Sequence, residues 1–200
     1  MIEKLVLATR NRGKVAEIRE LLEGFGIELL SLEDFPEVPE VVEDGETFEA
    51  NARKKAGVVA RCTGLPSLAD DSGLEVDALN GAPGVRSARF AGDHATYTEN
   101  NEKLLRLMKE VPFEKRTARF RCVLALAFPD GTVQTLEHTC EGRITEQPQG
   151  ENGFGYDPLF FFPELGKTFA QISRSAKGKI SHRGRALREL KQLLVSNSQT

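Results

Sequence analysis

The sequence predicts a mixed α/β fold, a long twisted sheet with helices packed at both ends. Three observations carry that reading. The two ends of the chain alternate helix-like and strand-like segments. The middle reads as antiparallel strands around a strong hairpin signal, Asp130-Gly131. No repeat, low-complexity tract or linker interrupts the 200 residues, so residues 1–200 are expected to form one domain, or two closely joined lobes of it.

Each element has its own signal. Residues 2–8 form a buried apolar strand. From 14 to 25, Val15, Ile18, Leu21, Leu22 and Phe25 make one helical stripe that Gly24 and Gly26 end. A short strand at 27–32 leads into an acidic, proline-containing loop at 33–43. Residues 46–61 carry Phe48, Ala52, Ala56 and Val59 on one helical side. A strand at 65–69 is expected to break at Asp70-Asp71-Ser72-Gly73. Residues 98–111 form a helix. The strands 117–128 and 132–139 flank the hairpin turn, and a Gly- and Pro-rich stretch follows at 142–158. A short apolar strand at 159–162 and an amphipathic helix at 181–195 close the pattern, and the polar tail 196–200 is expected to fray.

Composition excludes several classes. The chain has 40% hydrophobic and 28% charged residues, the profile of a globular protein. With 27 basic and 30 acidic residues the net charge is −3, so no nucleic acid partner is expected. No apolar run approaches the roughly 18 residues of a membrane helix, and Met1-Ile2-Glu3-Lys4 lacks the marks of a signal peptide. The expectation is a cytoplasmic protein with no membrane partner. Cys62, Cys122 and Cys140 are odd in number without C-x-x-C spacing, which reads as three reduced thiols.

Five segments carry candidate chemistry. Thr9-Arg10-Asn11-Arg12-Gly13-Lys14 joins the first strand to the first helix, where free N–H groups and a positive helix end suit a phosphate. It is not a Walker loop, and an ordinary turn with solvated cations is the other reading. Thr47, Asn51 and Lys54 share a helical face, either an anion contact or a solvated stripe. Asp70-Asp71 follows a buried-looking strand and suits Mg²⁺, with the acidic residues Glu40, Glu43, Asp44 and Glu46 as sources of a second ligand. Phe154-Gly155-Tyr156-Asp157-Pro158 can stack on a base and bond its edge, or can simply close a turn. Ser181-His182-Arg183 places cations where a helix dipole disfavours them, so an acceptor-rich partner is expected there, or solvation. Lys177 lies shortly before.

In this order the segments resemble the inosine triphosphate pyrophosphatase family, house-cleaning enzymes for non-standard purine nucleoside triphosphates. The resemblance runs from about Lys4 to Leu194. It rests on Ala8-Thr9-Arg10-Asn11-Arg12-Gly13-Lys14, Gly45-Glu46-Thr47-Phe48-Glu49-Ala50-Asn51-Ala52 and Leu68-Ala69-Asp70-Asp71-Ser72-Gly73-Leu74. Gly81-Ala82-Pro83-Gly84-Val85, Ser87-Ala88-Arg89-Phe90, Gly153-Phe154-Gly155-Tyr156-Asp157-Pro158 and Ser181-His182-Arg183 complete it. One departure is Ala50 where bacterial members often carry Glu before Asn51.

The resemblance implies two α/β lobes on a long mixed sheet around a central cleft, a homodimer, and Mg²⁺. It implies hydrolysis of inosine, deoxyinosine or xanthosine triphosphate to the monophosphate and pyrophosphate. By position, Thr9, Arg10, Asn11, Arg12, Gly13 and Lys14 would hold phosphates together with Lys54. Asp71 would be proton acceptor and metal ligand, with Glu43 as the second metal ligand and Glu46 its alternative. Ser72, Phe154, Gly155, Tyr156, Asp157, Lys177, His182 and Arg183 would surround the rest of the substrate. A nucleotide-binding regulator would use the same anion sites but gain nothing from Asp70 and Asp71 beside a triphosphate.

Overall fold

The computed structural model describes residues 2–196; from residue 197 the polar tail lies outside them. In chain order the elements are β1 (Lys4–Leu7), α1 (Arg12–Leu22), β2 (Glu28–Ser31), α2 (Phe48–Thr63), β3 (Ser67–Val76) and α3 (Tyr97–Leu107). β4 (Thr117–Ala127), β5 (Val133–Ile144), β6 (Phe160–Phe162), β7 (Lys167–Thr168), α4 (Arg174–Ile180) and α5 (His182–Ser196) follow. The strands form one open mixed sheet in the order β2-β1-β3-β4-β5-β6-β7. β1 runs parallel to β2 and β3, whereas β6 is antiparallel to β5 and β7. The chain divides into two compact units, residues 2–71, 122–138 and 183–196 in the first and 72–121 and 139–182 in the second.

In the first unit, Leu5, Val6 and Leu7 are fully buried, as the continuous apolar run of a parallel strand requires. Ile18 and Leu22 of α1, Leu68 of β3, Leu124 of β4, and Leu187 and Leu190 of α5 join Leu5 and Leu7 in one core. Each such side chain contributes about 1.5–3 kcal/mol of burial. α2 starts where Thr47 caps it, accepting the Ala50 N–H at 3.1 Å, and ends at Gly64, whose φ of 66° is the left-handed conformation of a helix C-cap. Its buried side includes Phe48, Ala52, Ala56 and Val59, the stripe read from the sequence.

The second unit has a separate, aromatic core. Phe160 packs 4.5 Å from Phe120 and 4.9 Å from Phe169, centroid to centroid, with Leu74, Val76, Leu104, Met108 and Leu159 around them. Arg116 is buried and donates to the carbonyls of Met108, Val111 and Thr145 at 2.8–3.0 Å, tying the segment after α3 to the end of β5.

Several boundaries differ from expectation. α1 begins at Arg12, because Asn11 caps it by accepting the Lys14 N–H at 3.1 Å. α2 starts at Phe48 and runs on to include Cys62. The short helix α4 was not anticipated. The largest difference concerns Asp70-Asp71-Ser72-Gly73, which does not break a strand: β3 runs through it to Val76. A central strand tolerates two adjacent acids when buried cations meet them, and here Arg183, Lys14 and Lys55 reach the two carboxylates while Lys14 and Lys55 also donate to the Asp70 carbonyl.

Candidate functional site

In the first unit, β3 sends successive side chains to opposite faces, and Asp70 and Asp71 part accordingly. Asp70 is fully buried. Arg183 donates to it through Nε at 2.7 Å and Nη2 at 3.3 Å, Lys14 Nζ lies 2.7 Å from Oδ1, and Cys122 Sγ lies 3.3 Å from Oδ2. Burial opposes its charge, but Arg183 and Lys14 overcome that and hold its pKa well below the usual carboxylate range. Arg183 also donates through Nη1 to Glu17 of α1 at 2.5 Å, so a buried ion network joins α1, β3 and α5.

Asp71 meets different surroundings. Lys55 Nζ donates to its Oδ1 at 2.8 Å and to the Asp70 carbonyl at 3.1 Å, and lies 3.2 Å from Glu43 Oε1. The Glu43 and Asp71 carboxyl groups adjoin. Burial, partly offset by Lys55 and Lys14, raises the Asp71 pKa to about 6. Burial also opposes the charge of Glu43, but Lys55 overcomes it and the pKa of Glu43 falls. Oδ2 of Asp71 is buried with no hydrogen-bond partner among the described residues. A buried carboxylate oxygen left open next to a second carboxylate is the donor set of a hard dication. Among the described residues no group of three or more His, Cys, Asp or Glu is arranged to hold a metal by itself. The protein would supply two carboxylates, and substrate oxygens and water the remaining ligands, the usual pattern for Mg²⁺.

The strand-to-helix loop is organised around the same cluster. Asn11 N–H donates to Thr9 Oγ1 at 3.2 Å, and Arg10 Nη2 donates to the Val38 carbonyl at 3.4 Å. Arg12 is exposed, and Gly13 and Lys14 sit in the first turn of α1, where helix N–H groups have no partner within the helix. Lys14, held by Asp70, stands beside this positive end.

In the second unit, Asp157 is buried and accepts the Phe154 N–H at 2.9 Å and Lys177 Nζ at 2.6 Å. Lys177 Nζ also lies 4.8 Å from the centre of the Phe154 ring and 5.6 Å from that of Phe169. Asn101 Nδ2 donates to the Gly155 carbonyl at 3.0 Å, and the Tyr156 hydroxyl donates to the Ser87 carbonyl at 2.9 Å. Burial raises the Tyr156 pKa well above that of an ordinary tyrosine. Gly153 must lack a side chain, because a Cβ there would collide with Asp157 Oδ2. The loop therefore closes as a turn on its own polar groups and leaves Phe154 half-exposed, 6.2 Å from the exposed Tyr97 ring. His182 is buried, stacked on Phe120 at 4.8 Å. Ser72 is half-buried on β3.

Two expectations need correction. The stripe Thr47-Asn51-Lys54 does not act as one face. Thr47 is the helix cap, Asn51 is buried, and Lys54 is exposed and paired with Asp44 at 2.6 Å. The lysine that meets the carboxylates is Lys55, which the sequence reading missed. Its signal was present, since Lys55 falls among Phe48, Ala52, Ala56 and Val59 on the apolar stripe. Arg183 was expected to compensate its place in the first turn of a helix with an external acceptor. Its acceptors are instead Asp70 and Glu17 of its own chain. Glu43 adjoins Asp71, whereas its alternative Glu46 is exposed.

Residues 5–193 match the model of the Ham1 family. The chain is 56% identical over 191 residues to a dITP/XTP pyrophosphatase of Geobacter sulfurreducens, covering 96% of each. It is 59% identical over 188 residues to one of Syntrophobacter fumaroxidans, covering 94% of this chain and 80% of that protein. The solved structure of a HAM1 protein from Coxiella burnetii superposes with a TM-score of 0.89 at 42% identity, covering 98% of this chain and all of that one. The Staphylococcus aureus Ham1 protein does so with a TM-score of 0.86 at 39% identity, covering 97% and 99%.

Proposed function

This chain belongs to the Ham1 family, and from that premise we propose that it hydrolyses non-standard purine nucleoside triphosphates (dITP, ITP and XTP) to the monophosphate and pyrophosphate, with Mg²⁺. The observation that carries the reading is the Asp71 carboxylate. One oxygen is held by Lys55, the other is buried and open, and Glu43 and the cationic head of α1 are close by.

The chain's residues divide the task. The Arg12 and Gly13 N–H groups at the start of α1 and the Lys14 ammonium offset the charge of the phosphates, and Thr9 and Asn11 shape that loop. Glu43 and Asp71 would hold Mg²⁺, which when bound withdraws charge from the phosphates and acidifies water. Asp71, with a pKa raised to about 6, suits a general base near neutral pH. It would orient a water toward the α-phosphorus, in line with the pyrophosphate, and serve as the acceptor for its proton. Lys55 keeps Oδ1 fixed throughout.

The nucleoside falls to Phe154, Gly155 and Tyr156, with Ser72 and His182 as further contacts and Asp157 and Lys177 holding the loop's shape. Hypoxanthine and xanthine carry an acceptor oxygen at C6, where adenine carries a donor amine. N–H donors of the loop facing that position would leave adenine mispaired, a mismatch that can discriminate by several orders of magnitude. Lys54 and Arg183 lie outside this reading, one on the surface and the other within the protein's own ion network. A homodimer in the cytoplasm completes the proposal, with sedimentation as the check on the dimer.

The test is pyrophosphate release across dITP, ITP, XTP, dATP, dGTP and dUTP, with Mg²⁺ and with chelator. Release confined to the first three and abolished by chelation is expected. Equal release from dATP, or release that survives chelation, would overturn the substrate or the metal assignment respectively.

A further inference from the structure

Glu43 sits in the irregular segment before α2, where no strand or helix fixes it. A carboxylate on such a loop moves with the loop, and a metal ligand needs support from groups behind it. That support lies eight residues further along the chain. Asn51 of α2 is fully buried, although it is an amide on a helix whose other buried residues, apart from Lys55, are all apolar. Its Oδ1 accepts the Gly45 N–H at 2.8 Å, and its Nδ2 faces the Gly45 carbonyl at 3.4 Å. Both backbone groups of one loop residue are thus met by one side chain. Gly45 fits the arrangement closely, since a Cβ there would lie 2.7 Å from Asn51 Oδ1.

The other end of the segment is also anchored. Val38 is buried, and its carbonyl accepts from Arg10. Glu43 lies between these anchors and two residues from the clamped glycine. A buried amide spent on a loop costs desolvation that only its hydrogen bonds offset. A helix built for packing alone would carry an apolar residue at this position. One turn further along α2, Lys55 takes up the Glu43 carboxylate.

We propose that Asn51 is a positioning residue, clamping Gly45 so that Glu43 is held beside Asp71 for the divalent cation. The proposal rests on the metal reading above. Asn51 touches neither metal nor substrate in it and acts only through Glu43.

The test is a double-mutant cycle read by Mn²⁺ binding, with free Mn²⁺ followed by electron paramagnetic resonance on the full chain. The variants are Asn51→Ala, Glu43→Gln and the pair. Asn51→Ala should weaken Mn²⁺ binding by about 10-fold or more, as loss of a supporting partner typically does. In the Glu43→Gln background the same change should have almost no further effect. Nucleotide binding measured in chelator should stay as in the wild type. Gly45→Ala presses on the clamp from the loop side and should reproduce the Mn²⁺ defect if Asn51→Ala does not fold. Glu49→Gln, on the exposed face of α2, should leave binding unchanged. Wild-type Mn²⁺ affinity in both clamp variants, with a loss in Glu43→Gln, overturns the clamp alone. Effects of Asn51→Ala and Glu43→Gln that add also overturn it. No loss in Glu43→Gln overturns the metal reading and the clamp with it.

Discussion

In the second unit Lys177 lies 2.6 Å from Asp157, and the rings of Phe154 and Phe169 stand within 5.6 Å of its ammonium. In the first unit Lys55 lies 2.8 Å from Asp71, with Glu43 as a second carboxylate and one Asp71 oxygen unmet. Both pairs bury a lysine against an aspartate. The first of them closes on itself: Asp157 takes the Phe154 N–H besides the ammonium, and the aromatic faces shield the cation. The second leaves an excess of carboxylate over ammonium in a buried place, and that excess is what a cation or a proton can use. The same two residue types give a structural tie in one surrounding and reactive potential in the other, and the count of compensating groups decides between them.

The largest effect should come from removing the excess charge. Asp71→Asn keeps the shape but can neither carry the charge nor take a proton, so kcat for dITP should fall about 10²–10⁴-fold. The urea midpoint should hold or rise, because burial already disfavours this charge. A steady-state assay beside an unfolding curve checks both, and a near wild-type rate would remove Asp71 from the chemistry.

Breaking each pair from the lysine side sharpens the contrast. Lys177→Met strands Asp157 in the core and should cost about 3–5 kcal/mol. Lys55→Met should cost clearly less, because burial already raises the Asp71 pKa to about 6 and loss of the ammonium raises it further, so Asp71 can take a proton when the ammonium leaves. It should nevertheless lower the rate far more than its loss of stability would suggest. Denaturant titration and kcat/KM on both variants separate the cases. Equal stability losses would mean that the two pairs are alike.

Arg183 belongs with the closed type. Arg183→Lys cannot reproduce the fork that reaches Asp70 and Glu17 at once, so stability should fall while the ratio of kcat/KM for ITP over ATP stays unchanged. A shrinking ratio would return Arg183 to base recognition.

The smallest effect concerns pH. The folded state raises the Tyr156 pKa by burial, so the neutral hydroxyl is favoured in the folded chain. Its stabilisation is fully present below the ordinary tyrosine value of about 10 and is lost as pH rises above it. Tyr156→Phe should cost about 1 kcal/mol near neutrality and flatten the loss of stability between pH 10 and 11. Asp70 has the opposite sign. Its depressed pKa supports stability above the ordinary carboxylate value, and that support fades as pH falls below it. Parallel alkaline titrations of both proteins would expose an unchanged slope, which would exclude Tyr156 as the source.

The sequence by itself determined the fold class, the order of the motifs and most of the helical stripes. Periodicity reports which side of an element is apolar, and Phe48, Ala52, Ala56 and Val59 were legible for that reason. It also marked Asp70, Asp71 and the Thr9–Lys14 loop, because adjacent acids and a cationic strand-to-helix turn are local patterns. Only the tertiary structure decided which partner each charge meets. Lys54 and Lys55 are neighbours in sequence, yet a helical step of 100° puts one in solvent and the other against Asp71. Arg183 lies 113 residues from Asp70 and 166 from Glu17, a distance along the chain at which no local pattern operates. β3 passes unbroken through Asp70-Asp71 because cations from α1, α2 and α5 converge on it. Propensity is a property of a short window, whereas the compensation of buried charge depends on where distant segments come together.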